Sequence, residues 1–416
     1  MEPSFEQEIV RFINQVESLD ESFRLTVPYM EILRKDYSKK FNKFLNEKCI
    51  KNEERNIFTI PPEHSREHKK LKKRLENSKS SSTLLPRSYI VSLISLYDAY
   101  LGKLIKTMFL TVPEKLNSSQ KNIEFGTLFS FSTMDEAKNY LIEKEVETVL
   151  RTSHVEQFNW LEKQLSIPLT KDLESWGNFV EVTERRNLFV HTDGFISSQY
   201  FNTCSKYQIK LDEEDISIGK QLHVTPKYFR ESYNCLFEIG VKLGQVMWRK
   251  LKPNELDKAD KNIHEICFNL ISEEHYSIAI ELLEFFLFIQ KKHSSIEVTY
   301  RETLNLAQAY KWSGQFERSQ KLLNKTNWSV LSYNFRLGYE VLMENYDEAA
   351  TIMRRIDVED ISQNEYRSWP IFKEFRKNGN FLKVYKEKFG EEYEEQDDIN
   401  NKVQSVAKFE MEAVVR

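Results

Sequence analysis

Apolar residues recur along most of the chain at steps of three and four, the spacing of one face of an α-helix. Phe5, Ile9, Val10, Ile13 and Val16 open the series, and Tyr29, Ile32 and Leu33 continue it, so residues 1 to about 48 read as one or two amphipathic helices. A basic stretch follows, with Pro61, Pro62 and the run from Arg66 to Arg74, then a serine-rich break from Ser78 to Ser82. Pro-Pro and serine clusters mark a linker or an exposed excursion, which puts a soft boundary near residue 84. Pro86 suits a helix start. Behind it Ile90, Leu93, Ile94, Tyr97, Leu101, Leu104, Ile105 and Met108 predict one long helix with a single buried stripe.

Further helical patterns cover 135–165, where Ala137, Leu141, Val146 and Val149 precede Phe158, Trp160, Leu161 and Leu165. A fourth helix is expected from about Leu173 to His191, and Thr192-Asp193-Gly194 supplies the glycine that ends helices in the left-handed conformation. Residues 195–224 are mixed and leave room for a short extended excursion, and another helix is expected from Pro226 to Leu251. The block 85–252 therefore reads as a helix bundle. Beyond Lys252-Pro253-Asn254 the pattern becomes repetitive: a helix, a short polar turn with an aromatic residue, and a second helix. The anchors Tyr276, Phe316 and Tyr346 are 40 and 30 residues apart, bracketing the usual 34-residue helix-pair repeat. Ala309-Tyr310 before Ser313-Gly314-Gln315-Phe316-Glu317 resembles the junction of a tetratricopeptide repeat, so 253–390 is expected to be a degenerate helical-repeat domain, followed by an acidic tail over 391–416.

Composition strengthens the all-α expectation. With 11 Gly and 10 Pro in 416 residues, the chain is short of the turn-formers that sandwiches and barrels need. The net charge of −4 offers no overall attraction to nucleic acid, so any such binding must come from a local patch. The basic run at 66–74 could hold an RNA backbone by charge, or be a solvated helix face. Cys49, Cys204, Cys235 and Cys267 form no CxxC pair, which argues for free thiols rather than zinc or disulfides. The isolated His264-x-x-Cys267 and the pair His64 and His68 lack the further ligands a metal needs, so neither metal nor cofactor is expected. No GxxxxGK[ST] or GxGxxG motif is present. The acidic N-terminus and the lack of an 18-residue apolar run imply a soluble, cytoplasmic protein.

One segment carries candidate chemistry. Residues 181–201 read EVTERRNLFVHTDGFISSQYF, in which Glu184, Arg185, Arg186 and Asn187 interrupt an apolar helix and His191 follows. On a regular helix Asn187 and His191 lie one turn apart on one face, and Glu184 shares it. Arg186 and His191, five positions apart, point roughly 140° apart, a gap that a long guanidinium, a distorted last turn or a second subunit could close.

The string Arg186-Asn187-Leu188-Phe189-Val190-His191 resembles the R-x4-6-H signature of HEPN domains, in the form where a polar residue follows the arginine. The preceding Glu184-Arg185, the Thr192-Asp193-Gly194 exit and Tyr200-Phe201 are similar to abortive-infection members, and Tyr97-Asp98-Ala99-Tyr100-Leu101 resembles their opening helix. The resemblance covers about residues 85–250. It implies a helical bundle that dimerises, bringing two motifs into one cleft, and a metal-independent endoribonuclease of prokaryotic defence or toxin type. His191 would move the proton and Arg186 would stabilise charge on the phosphate. Asn187 would position, with Glu184, Arg185 and Asp98 in support. The repeats would offer a face to a sensor, antitoxin or phage protein.

Plainer roles stand beside these. His191 could be a helix-end histidine favoured by the macrodipole, and Arg186 could pair with Glu184 or Glu181 at the surface. Asp98 could serve Lys103 or Lys106. The whole bundle could be a non-catalytic dimerisation module whose repeats recruit partners.

Overall fold

The apolar stripes become helices. The computed structural model describes residues 4–52, 57–119, 122–171, 173–207, 209 and 217–394. Among them are sixteen α-helices and one two-stranded antiparallel hairpin, β1 (Ile50–Asn52) and β2 (Ile57–Thr59), paired with Ile50 opposite Thr59. The protein is all-α. The chain divides into two compact units, Met1–Met247 and Trp248–Arg416.

Two long helices frame the first unit. In α1 (Phe5–Lys48) the Ser4 side chain accepts from the Gln7 N–H and caps the first turn. In α2 (Ser65–Thr111) every member of the expected stripe from Ile90 to Met108 is fully buried. Each such aliphatic side chain contributes about 1.5–3 kcal/mol relative to exposure. Phe12 of α1 stacks on Tyr100 of α2 at 4.4 Å between ring centroids, and the Tyr100 hydroxyl donates to the Gly240 carbonyl at 3.0 Å. Gly240 lies on α8 (Pro226–Leu251) and admits this packing because it has no side chain. A Cβ there would sit 2.3 Å from the Phe12 ring.

The boundary expected near residue 84 does not exist. The basic run and the serine cluster lie inside α2, and Pro86 is an interior residue of that helix rather than its start. Serine hydroxyls turn back onto the helix instead of ending it: Ser82 Oγ donates to the Lys79 carbonyl and Ser88 Oγ to that of Leu84. Residues 1–84 therefore belong to the same compact unit as the bundle.

Around this pair stand α4 (Met134–Leu150), α5 (His154–Leu165) and α6 (Trp176–His191), with the single-turn α3 (Phe125–Leu128) before them. The α6 helix stops where Asp193 (φ 50°) and Gly194 (φ 80°) turn left-handed, and the Gly194 N–H bonds back to the Leu188 carbonyl at 2.9 Å. Arg87 of α2 braces that exit, donating to the Asp193 carboxylate at 2.8 Å and its carbonyl at 3.1 Å. Among its described residues the mixed stretch beyond holds α7 (Ser198–Lys206) and an isolated bridge, Phe195 to Gln221.

The second unit contains three helix hairpins in sequence: α9 (Leu256–Ser272) with α10 (Tyr276–Glu284), α11 (Ile296–Trp312) with α12 (Phe316–Leu323), and α13 (Tyr333–Leu342) with α14 (Tyr346–Arg355). All three close on one turn. Glu274, Gly314 and Glu344 have φ of 62°, 83° and 63°. The N–H of the next residue reaches back five positions in each case, His275 to Leu270, Gln315 to Tyr310 and Asn345 to Glu340, at 2.7–2.9 Å. Each turn delivers its aromatic anchor at the first position of the second helix. Beyond them, α15 (Gln363–Ser368) and α16 (Gly379–Phe389) pack Tyr366, Phe381 and Tyr385 into a common core with α14. The tail expected over 391–416 lies outside the described residues beyond Glu394.

Candidate active site

Two consecutive arginines of α6 part company. A helix turns 100° per residue, so Arg185 and Arg186 leave its axis in different directions. Arg185 is buried, with 3% of its surface exposed. Its Nε donates to Glu181 Oε1 at 2.6 Å, and its guanidinium lies 3.9 Å from the centroid of the Tyr228 ring. The hydroxyls of Tyr200 and Tyr228 donate to the same carboxylate at 2.6 and 2.8 Å. Burial first, and then the Glu181 charge, push both phenols well above their ordinary range, so both stay protonated donors. This is a closed structural network, and Arg185 works there rather than in a site.

Arg186 leaves the helix on the side of α2. Its Nη2 lies 2.9 Å from Asp98 Oδ2, and the other oxygen of Asp98 is 2.8 Å from Nε2 of His154. The Arg186 side chain keeps 22% of its surface and Asp98 keeps 30%. Arg186 Nε is buried and carries no partner. Asp98 is thus the bridge between the motif and α5, not a partner of Lys103 or Lys106, which reach Glu8 and Glu143 instead. Glu181 is committed to Arg185, so the expected surface pairing of Arg186 with Glu181 does not occur.

Glu184 completes the group. Burial raises its carboxyl above the usual range, against the opposing pull of His154, a hydrogen bond with Asn187 and the charge of Arg186. The assembled cluster is therefore Asp98, His154, Glu184, Arg186 and Asn187. His191 stands apart. It is exposed at the last position of α6, and the helix stays regular up to it, so no distorted turn swings it toward Arg186. It shares the face of Glu184 and Asn187, roughly 140° around the axis from Arg186.

His154 is the residue that reading by periodicity missed. A signal for it exists: Ser153 and Glu156 form a reciprocal capping box that opens α5 and sets His154 at its first position. Its ring is held against Tyr97 and Phe179, with centroids at 6.3 and 5.7 Å.

The histidines weighed as metal ligands are occupied. His64 and His68 pack on Phe41 and Phe44, and His264 Nδ1 lies 2.8 Å from the buried Glu302. Among the described residues no group of three or more His, Cys, Asp or Glu is placed to hold a metal ion. All four cysteines are free, and Cys204, Cys235 and Cys267 are buried. Among the described residues no helix is long and apolar enough to cross a membrane.

Comparison with protein-family models, curated proteins and solved structures finds no match for this chain.

Proposed function

We propose that the first unit is a metal-independent endoribonuclease of the HEPN kind. The observation that carries this reading is the partly exposed guanidinium of Arg186, with 22% of its side-chain surface open and fixed by Asp98, on the same helix as the solvent-facing imidazole of His191. The chemistry needs both groups. The 2′-hydroxyl of RNA attacks the adjacent phosphorus, the P–O5′ bond breaks, and a 2′,3′-cyclic phosphate and a free 5′-hydroxyl result. A histidine near neutral pKa can take the 2′-hydroxyl proton or deliver one to the departing 5′-oxygen. A guanidinium can neutralise the charge gathering on the equatorial phosphate oxygens. Asn187 would orient the phosphate or the imidazole.

Because Arg186 and His191 diverge within one chain, the site in this reading is composite. His191 of one copy faces Arg186 of another across a homodimer, as the resemblance to HEPN domains implies. A role in prokaryotic defence, and capture of a sensor, antitoxin or phage protein by the tetratricopeptide-like hairpins, follow from the same analogy.

A second reading has its own observation. The Asp98 bridge satisfies Arg186 and His154 together, which is what a structural clamp between α2, α5 and α6 would also do. On that reading the bundle dimerises without catalysis and the repeats recruit a partner.

The test is incubation of the purified protein with end-labelled RNA in excess EDTA, beside His191→Ala and Arg186→Ala. Cleavage by the wild type alone, with cyclic phosphate ends, supports the nuclease. An all-deoxy strand, lacking the nucleophile, should stay intact. Intact RNA in every reaction, with and without candidate partners, leaves the scaffold.

A further inference from the structure

The charge of this chain is separated along it. Residues 24–84 carry sixteen Lys and Arg against eight Asp and Glu, a net +8 in a chain whose total is −4, so the remainder carries −12. That segment is also a structural feature. It consists of the second half of α1, the β1–β2 hairpin and the first half of α2, folded back on each other as an antiparallel pair. From Arg24 through Arg74 the only buried side chain among those described is Phe44. Its seam is thin, with Phe41 and Phe44 against His64 and His68. The pair is therefore an arm that gives its surface to solvent. At 1.5 Å per residue, α1 beyond Phe23 runs roughly 35 Å.

The arm's root is defined. Thr26 Oγ1 and the Tyr89 hydroxyl meet at 2.7 Å, which sets the two helices level there. Both interior prolines, Pro28 and Pro86, fall next to that level, each removing one backbone N–H from its helix. One residue past Pro86, Arg87 ties α2 to Asp193, two residues beyond His191. The arm thus springs from the His191 end of α6. Lys79 and the cations from Arg74 back to Arg66 stand roughly 12 to 32 Å farther along the α2 axis from that tie.

Ordinary hairpin stability does not account for these cations. Among the described residues the ion pairs in the arm lie within one helix, such as Arg34 with Glu31, Lys40 with Asp36 and Lys72 with Glu76. Among the described residues none crosses from α1 to α2. Lys39, Lys69, Lys70, Lys73 and Arg74 are exposed, and among the described residues none of them forms an ion pair with an acidic side chain. Like charges this dense repel one another and cost stability unless an anion neutralises them.

We propose that this arm is a rail for the phosphate backbone of RNA. It holds by charge alone a strand or duplex whose adjoining stretch reaches the α6 end. The identity of the anion rests on the nuclease reading above; the charge and placement of the arm do not. Binding of this kind is independent of base sequence and strongly salt-dependent.

The test uses the full chain and a fluorescent 2′-O-methyl RNA hairpin, which has no nucleophile and cannot be cut. Anisotropy titrations compare wild type with the fourfold variant K69Q/K70Q/K73Q/R74Q at several salt concentrations. These positions are exposed on a helix that glutamine also favours, so an unchanged melting temperature serves as the folding check. The rail predicts at least a tenfold loss of affinity at about 0.1 M salt. It also predicts that the slope of log affinity against log salt flattens by about 3, since each lost phosphate contact removes about 0.7–0.9. A control, K321Q/K325Q in the second unit, should bind like wild type. Equal binding and equal slope for the fourfold variant would overturn the proposal. So would loss of binding to phosphatidylserine vesicles with RNA affinity untouched, which would mark a membrane arm. Tight, arm-dependent binding with no cleavage of ordinary RNA would instead keep the rail and remove the nuclease.

Discussion

Arg185 and Arg186 are the same residue type at adjacent positions of one helix, yet they sit in opposite kinds of surroundings. The first is closed: its guanidinium meets the Glu181 carboxylate, the His223 carbonyl and the Tyr228 ring face, and two phenols donate to that same carboxylate away from water. The second is open: it shares Asp98 with a histidine and keeps 22% of its side-chain surface. A completed network holds a fold together, whereas an incomplete one at the surface has capacity left for a ligand. The contrast teaches that burial and partner count, not residue identity, separate a structural charge from a candidate functional one.

The largest difference should appear in stability. Arg185→Ala strands the Glu181 carboxylate in the interior, and breaking a buried pair in this way costs about 3–5 kcal/mol. Urea unfolding should show that loss. Arg186→Ala, which leaves Asp98 still bonded to His154, should cost under about 1 kcal/mol. Similar losses for the two variants would erase the distinction.

Next in size is Tyr200→Phe, which removes one of the donors on Glu181. A hydrogen bond to a buried charge is worth about 1.5–3 kcal/mol, and the same unfolding assay reads it. Asp98→Asn should fall below that, because Asp98 keeps 30% of its side-chain surface and Arg186 keeps 22%, even though His154 is buried; a loss as large as that of Tyr200→Phe would make the open cluster structural too.

The smallest effect is one of pH. Burial raises the folded-state pKa of Glu184 above its ordinary 4.5, so the folded protein holds this proton more tightly than the unfolded chain. That contribution is present at low pH and is lost as pH rises through the interval above 4.5. Glu184→Gln cannot lose it. The variant should therefore gain on the wild type between pH 4 and pH 7, by under about 1 kcal/mol because the group is only partly buried and solvent screens it. Paired thermal melts at the two pH values measure it, and a constant difference would contradict the assignment.

Much of the fold was legible where one face of a helix decides everything. The Ile90 to Met108 stripe is buried along its whole length, and the aromatic anchors Tyr276, Phe316 and Tyr346 each begin the second helix of a hairpin. Helix breakers misled. Pro86 lies inside a continuous helix, and the serines before it bond back onto their own helix. Local propensity cannot show that two long helices will support each other. The site was legible in part. Asp98 and Asn187 join Arg186 and Glu184 in one cluster, but His154 comes from a third helix, and only packing brings it there. Nothing in the string Glu184-Arg185-Arg186 says which arginine turns inward, since that depends on where Tyr200 and Tyr228 arrive.

The composite site is tested most directly by mixing two inactive chains. If the chain dimerises as proposed, coexpressed His191→Ala and Arg186→Ala proteins would form some heterodimers in which one intact imidazole faces one intact guanidinium. If the two groups act across copies, wild type cleaves RNA in EDTA to cyclic phosphate ends, each variant alone is at least about a hundredfold slower, and the mixture regains activity. An active wild type with a mixture that stays dead, or a wild type that cuts no RNA under any condition, would contradict the account.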